Sequence, residues 1–252
     1  MDSIHRFSGR VGNYALYRPS YPAALIDVLA SESSFAPGKT VADVGAGTGR
    51  LSALFADRGS TVYCIEPNEE MLRACRKELL GKGNCHFIRA TAERTGLAPG
   101  SVDVVSAGQS FHWFDAEAAG MEFLRILRPD GCVFIVWNTR RADDSYFMKE
   151  YGELIAKYSR PDASSLSSER EGIIKLFGCT RFISGAMPNS QTLDFKGLMG
   201  RLSSASYTPE CGSSEYASML SDVHNLFNRF ERGGHVELLY RTEYYIGRPE
   251  SK

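Results

Sequence analysis

A chain of 252 residues, 43% of them hydrophobic, can build one α/β domain with insertions or two small domains around a packed core. A net charge of -1 with no basic block argues against a polyanionic partner such as nucleic acid. The six cysteines include no C-x-x-C pair, so neither a zinc site nor a redox motif is indicated. Four of them sit in apolar strand or helix patterns, which predicts reduced, packed thiols in a cytoplasmic protein. MDSIHRFSGR lacks the apolar core of a secretory signal, and no apolar run approaches the ~20 residues of a membrane span.

Residues 6–22 read RFSGRVGNYALYRPSYP. Tyr14, Tyr17 and Tyr21 alternate with Arg10, Arg18, Pro19 and Pro22, and the prolines rule out one continuous helix. Two readings stand: a surface arm of amphipathic side chains, or a lid whose aromatic residues and arginine cover a ligand and pair with its carboxylate. A helix starts near Pro22, with Leu25, Val28 and Leu29 on its buried stripe.

Val41–Leu51, VADVGAGTGRL, organises the rest of the chain. Val41, Ala42 and Val44 read as a buried strand around Asp43; Gly45, Gly47 and Gly49 turn the chain; Leu51, Leu54 and Phe55 recur at helical spacing. Glycines let the backbone turn sharply and approach a ligand, and the helix start adds unpaired N–H groups at the same place. A dinucleotide turn, G-x-G-x-x-G, would need a third glycine where Arg50 stands, so the G-x-G-x-G spacing disfavours a nicotinamide oxidoreductase.

Thr61–Ile65 (TVYCI) is the second strand, ended by Glu66, which falls 19 residues after Gly47, where nucleotide-binding α/β folds place an acid that accepts from a ribose diol. Asn68 caps the next helix, with Met71, Cys75 and Leu79 on its apolar face. Strand candidates follow at His86–Ala90, Val102–Ala107 and Cys132–Trp137. Ala92-Glu93 opens a loop after the third. Gln109-Ser110-Phe111-His112-Trp113-Phe114 follows the fourth. Asp115 caps a helix read with Met121, Leu124 and Leu127 buried, and Arg128-Pro129-Asp130-Gly131 is a turn. Further on, helices are expected over 143–158 and 214–230, a sixth strand at Phe182-Ile183, and an alternating last strand over 236–246. The order is that of a doubly wound α/β sheet, whose ligands bind at the carboxyl ends of the strands. Gly45–Gly49, Glu66, Ala92-Glu93 and Gln109–Trp113 all follow strands at that edge.

VADVGAGTGRL, CIEPNEEML, TAERTGL, SVDVV, QSFHWFD and LRPDG, spread over residues 38–138, resemble the class I S-adenosylmethionine-dependent methyltransferases. YRPSYP and HWF are similar to a narrower group, the small-molecule enzymes related to trans-aconitate methyltransferase. The resemblance implies a Rossmann-like seven-stranded sheet, mostly parallel with an antiparallel last strand and helical cap insertions. It implies a single domain: arm and lid over 1–37, cofactor half over 38–138, cap insertions around strand six over 139–235, and the last strand over 236–246.

The implied cofactor is S-adenosyl-L-methionine, with S-adenosyl-L-homocysteine as product. By resemblance Gly45, Ala46 and Gly47 contact its methionine end, and Asp43 supports that turn and the amino group. Glu66, followed by Pro67, holds the ribose. Ala92 and Glu93 flank adenine, Gln109 lies beside the methionine moiety, and Arg18 pairs with the carboxylate. Thr91 stands where many relatives carry an acid near the adenine amino group. Tyr14, Tyr17 and Trp113 fall on the acceptor side. His112 reads either as a general base or as a pocket wall that hydrogen-bonds locally. The implied reaction is in-line methyl transfer to a small molecule, a carboxylate among the candidates, without metal and away from membranes. A non-catalytic nucleotide-binding regulator is the alternative.

Overall fold

The computed structural model describes residues 16–159, 166–178, 182–204, 208–209 and 212–249, the side chains of 166–170 excepted. Its strands are β1 (Thr40–Val44), β2 (Thr61–Ile65), β3 (Cys85–Ile88), β4 (Val102–Gly108), β5 (Leu127–Arg140), β6 (Phe182–Leu193) and β7 (Val236–Gly247). They form one sheet in the order β3-β2-β1-β4-β5-β7-β6. β1 to β5 are parallel, and β7 runs antiparallel between β5 and β6. This is the predicted seven-stranded sheet. The strand order reverses between β1 and β4, which opens a crevice at their carboxyl ends.

Eight helices are described: α1 (Ala24–Glu32), α2 (Arg50–Asp57), α3 (Glu69–Glu78), α4 (Ala116–Ile126), α5 (Tyr146–Tyr158), α6 (Leu166–Phe177), α7 (Phe195–Ser203) and α8 (Ser214–Phe230). The caps act as predicted: the Asn68 side chain accepts from the N–H of Glu70 and Met71, and Asp115 accepts from Glu117 and Ala118.

One sheet face packs Val41, Val104 and Phe134 against Leu25 and Leu29 of α1, Phe55 of α2 and Cys75 of α3. The opposite face packs Val44, Val105 and Ile135 against Phe123 and Ile126 of α4. Cover on both faces is why β1 reads as a continuous apolar run. Ile173, Leu176 and Phe177 of α6 join this second layer, so α6 flanks the sheet. A third cluster joins α5, α7 and α8 to β7, with Tyr151, Leu198, Met219, Val223 and Tyr240 at its centre. Of the helices read as cap, these three form a body of their own.

Two local expectations are corrected. In α4 the buried stripe is Ala119, Phe123 and Ile126, while Met121 is 64% exposed and Leu124 half-buried; Leu127 is buried as expected, but as the first residue of β5. Both triplets have helical spacing; the large ring of Phe123, packed edge-on against Phe114, sets which one faces inward. The Arg128–Gly131 turn belongs to an extended β5. Leu127 already pairs with Val102 and Cys132 with Val104, so the four residues bulge out of the ladder between them.

Candidate active site

β1 ends in the glycine turn. Gly45, Gly47 and Gly49 take φ of 66°, 56° and 84°, a region closed to most side chains. The N–H groups of Gly45 and Ala46 donate to the Ile65 carbonyl at 2.8 and 3.0 Å, which ties the turn to the end of β2.

Glu66 completes the tie. Its Oε2 accepts from the Gly47 N–H and its Oε1 from the Asn68 N–H, each at 3.0 Å. The carboxylate is buried. Burial pushes its pKa up, and the two backbone N–H bonds pull the other way. Each oxygen keeps a second lone pair for a hydroxyl. Glu66 is therefore a brace between two βα turns, with lone pairs left over at the position where a ribose ligand is expected. Glu66→Ala is expected to lower stability and cofactor affinity together, each by about 1–3 kcal/mol, because two N–H groups lose their acceptor. Loss of affinity in a variant with unchanged melting would contradict the bracing role.

Asp43 lies behind the turn, 1% exposed. Its Oδ2 accepts from Ser52 Oγ on α2 at 2.5 Å and its Oδ1 from Ser106 Oγ on β4 at 2.8 Å. It thus supports the turn from inside the core. Burial raises its pKa from the ordinary 3.8 to about 6, against the serine hydrogen bonds. An acid raised in this way holds its proton more tightly folded than unfolded. The stability it contributes is present below pH 3.8 and is lost as pH rises to about 6. Between pH 4 and 7 the wild type should lose roughly 3 kcal/mol relative to Asp43→Asn, measured by denaturant unfolding at each pH. Parallel pH curves would contradict this.

After β4 the backbone turns at Gln109, whose φ of 58° is the one positive value at a non-glycine among the described residues. Strain of this kind persists where surroundings hold it and gathers at functional sites. Here the Gln109 N–H donates to the Val136 carbonyl at 2.9 Å and its Nε2 to the Asn138 carbonyl at 3.0 Å. Ser110 donates to the Val44 carbonyl at 3.0 Å and stands directly behind Gly45.

His112 follows in a 3-10 turn, with its ring 4.7 Å from that of Trp113. His112 Nδ1 is buried and makes no hydrogen bond. Burial, and then the positive charge of Arg18, bring the His112 pKa down to about 4. The imidazole is neutral at physiological pH. Trp113 is partly exposed on the open side.

The remaining predicted positions are mixed. Ala92 is buried in the core layer with Val44 and Phe123, so its side chain serves packing. Glu93 Oε1 accepts from the Asp115 N–H at 3.1 Å, joining the loop after β3 to the start of α4. Pro67 is half-buried, and its carbonyl accepts from Arg89 Nε at 3.3 Å.

Tyr14 lies outside the described residues. Tyr17 lays its ring against Gly200 of α7, where a side chain would overlap it, and its carbonyl accepts from Gln191 Nε2 at 3.0 Å. Arg18 Nη2 donates to the Ser204 carbonyl at 3.3 Å. Tyr21 is buried with its hydroxyl over Gly108, so close that a methyl on Gly108 would lie 2.5 Å from Oη. Residues 17–21 thus run across the carboxyl edge of β4, from Gly108 to Gly200 of α7.

Three supporting residues escaped the sequence reading: Ser52, Ser106 and Asn138. Ser106 carried a signal, as a polar residue in the otherwise apolar end of β4. Among the described residues no group of three His, Cys, Asp or Glu side chains could hold a metal ion, and no helix is long and apolar enough to cross a membrane.

Residues 42–135, from β1 into β5, match the family profile described as a methyltransferase domain. Over these residues the chain carries a methyltransferase domain. The domain is similar to an uncharacterized methyltransferase of Mycobacterium tuberculosis, 38% identical over 156 residues, which cover 62% of this chain and 60% of the relative. The chain thus spans 60% of the length of that relative. An uncharacterized methyltransferase-like protein of Schizosaccharomyces pombe is 26% identical over 244 residues, covering 95% of this chain and 93% of its own. Among solved structures, one from Anaeromyxobacter dehalogenans assigned as a type II methyltransferase superposes with a TM-score of 0.70. It is 25% identical and covers 93% of this chain and all of its own.

The cofactor of such a domain is S-adenosyl-L-methionine. The residues present fit it. Among the described residues, its chain neighbours aside, a Cβ on Gly47 would meet no atom within 4 Å, so the turn faces open space there. Glu66 follows β2, and Gln109 and His112 follow β4, on either side of the glycine turn of β1 along the same edge.

Proposed function

We propose that this methyltransferase domain transfers the methyl group of S-adenosyl-L-methionine to a small-molecule carboxylate. The observation that carries this reading is the place of His112, buried in the turn that follows β4 and near enough to the Arg18 guanidinium for that charge to help keep the ring neutral. A histidine with a pKa of about 4 is a weak base at neutral pH. A carboxylate acceptor needs none, because it is already ionised. The arginine favours an anion, and a neutral imidazole can donate one hydrogen bond to it.

The sulfonium supplies an activated methyl group, so the reaction is an in-line displacement: an acceptor O–C bond forms as the S–C bond breaks. The products are a methyl ester and S-adenosyl-L-homocysteine, with no proton to remove. The protein's part is positioning and exclusion of water. Gly45–Gly47 and Gln109 orient the methionine end, and Glu66 holds the ribose with Pro67 beside it. Ala92 and Glu93 bound the adenine side. Residues 17–21 of the arm cover the crevice, with Arg18 toward the carboxylates and Tyr17 and Trp113 toward the acceptor. The net charge of -1 and the absence of a basic stripe support a small acceptor over nucleic acid. The free thiols of Cys64, Cys75, Cys85 and Cys132 support a cytoplasmic setting.

The test is homocysteine-product release from the labelled cofactor with panels of carboxylates, phenols and amines. Turnover confined to phenols or amines would overturn the carboxylate reading, and binding without turnover on any panel would leave a binding protein. On a carboxylate substrate, His112→Ala should raise KM several-fold and leave the pH–rate profile flat from about pH 5.5 to 8, as in the wild type. An acid-side ionisation in the wild type that disappears in the variant would restore His112 as a general base.

A further inference from the structure

Four segments far apart in sequence meet at one amide. Asn138, at the carboxyl end of β5, receives the Gln109 side chain on its main-chain carbonyl at 3.0 Å. Its own side chain points to the arm. Asn138 Nδ2 donates to the Ser20 carbonyl at 3.2 Å, and Asn189 Nδ2 of β6 donates to the same carbonyl at 2.8 Å. Asn138 Oδ1 accepts from Thr242 Oγ1 of β7 at 2.6 Å and from Asn189 Nδ2 at 3.1 Å. Thr242 is wholly buried and pairs with Asn138 across the antiparallel ladder, so the amide is fixed from below. Both Asn189 Nδ2 hydrogens and every group of the Asn138 amide facing these partners are in use.

We propose that Asn138 is a positioning residue for the transfer reaction: it fastens the arm over the crevice and couples arm docking to the strained backbone of Gln109. The Ser20 carbonyl lies between Arg18 and Tyr21, the two arm residues that reach the site. Holding that carbonyl holds Arg18 near His112 and Tyr21 over Gly108. The Gln109 side chain and the arm then share one anchor, which β5, β6 and β7 hold rigid. Ligand that orders Gln109 should order the arm, and release of the arm should weaken the ligand. A purely structural hydrogen bond would carry no such coupling.

The inference rests on the cofactor reading of this edge, and the experiment separates the two. S-adenosyl-L-homocysteine is titrated into the full-length wild type, Asn138→Asp and Asn189→Ala, and amide hydrogen exchange of the peptide covering residues 16–23 is followed with and without it. Asn138→Asp keeps the acceptors for Thr242 and Asn189 but faces an oxygen to the Ser20 carbonyl. Its main chain still receives Gln109. Expected results are slowed exchange of that peptide on binding in the wild type, and in Asn138→Asp an affinity about tenfold lower with the slowing lost. In Asn189→Ala, where Asn138 still donates to Ser20, a loss of about threefold is expected. This second variant sits on an edge strand and keeps the inference testable if Asn138→Asp fails to fold. Variants that bind as tightly as the wild type with the same slowing, even if they melt earlier, would overturn the coupling alone. A folded wild type that binds no product would overturn the cofactor reading and the coupling with it.

Discussion

Gly47→Val should give a folded protein that binds neither S-adenosyl-L-methionine nor its demethylated product. The backbone at Gly47 has φ of 56°, and a Cβ there would project into space with no atom of the described residues, its chain neighbours aside, within 4 Å. Nothing inside the protein collides with a small side chain at this position. The conformational strain of a branched residue at positive φ costs about 1–3 kcal/mol. A domain of ordinary stability, roughly 5–15 kcal/mol, survives that loss. The same space is where a ligand must approach the turn, and valine fills it. Thermal melting should therefore fall by several degrees while calorimetric binding disappears. A folded variant with normal binding would mean that the cofactor lies elsewhere.

Gly45→Ala, two residues earlier, should fail in the opposite way. A methyl at Gly45 would stand 2.5 Å from Cβ and 2.7 Å from Oγ of Ser110, and 3.1 Å from Cζ of Phe114. Ser110 cannot yield easily, because its hydroxyl is bonded to the Val44 carbonyl at 3.0 Å and its backbone follows the strained Gln109. Overpacking and positive-φ strain act together here, and the expected cost is about 2–5 kcal/mol, read from the urea midpoint. Ser110→Gly removes the colliding Cβ and should recover part of the loss in the double variant. Equal stability of Gly45→Ala and wild type would show slack between the glycine turn and β4 that this packing does not contain. The two glycines thus separate ligand space from packing space within one turn.

What could be read in the sequence was the local chemistry. The β1–turn–α2 unit announces itself through an apolar run, three glycines and a helical repeat. Asn68 and Asp115 cap as their side chains dictate. The gathering of Gly47, Glu66 and Gln109 follows from strand order alone. The rest depends on partners distant in the chain. The bond from the Gly47 N–H to Glu66 needs β1 and β2 side by side, and Asp43 needs serines from α2 and β4. The amide anchor needs residues 20, 138, 189 and 242 together, which no spacing shows. In α4, Met121-Leu124 and Ala119-Phe123 satisfy the same periodicity, and the sheet decides between them. α6 falls within the span read as cap insertions, yet Phe177 belongs to the sheet layer.

The central claim is that the glycine turn of β1, braced by Glu66, is the seat of an adenosyl cofactor. Titration calorimetry of S-adenosyl-L-homocysteine into the purified wild type tests it most directly, with Gly47→Val as the paired control. Saturable one-to-one binding in the micromolar range to the wild type is expected, with no heat of binding to the variant. A folded wild type that binds nothing at millimolar product, or a variant that binds as the wild type does, would contradict it.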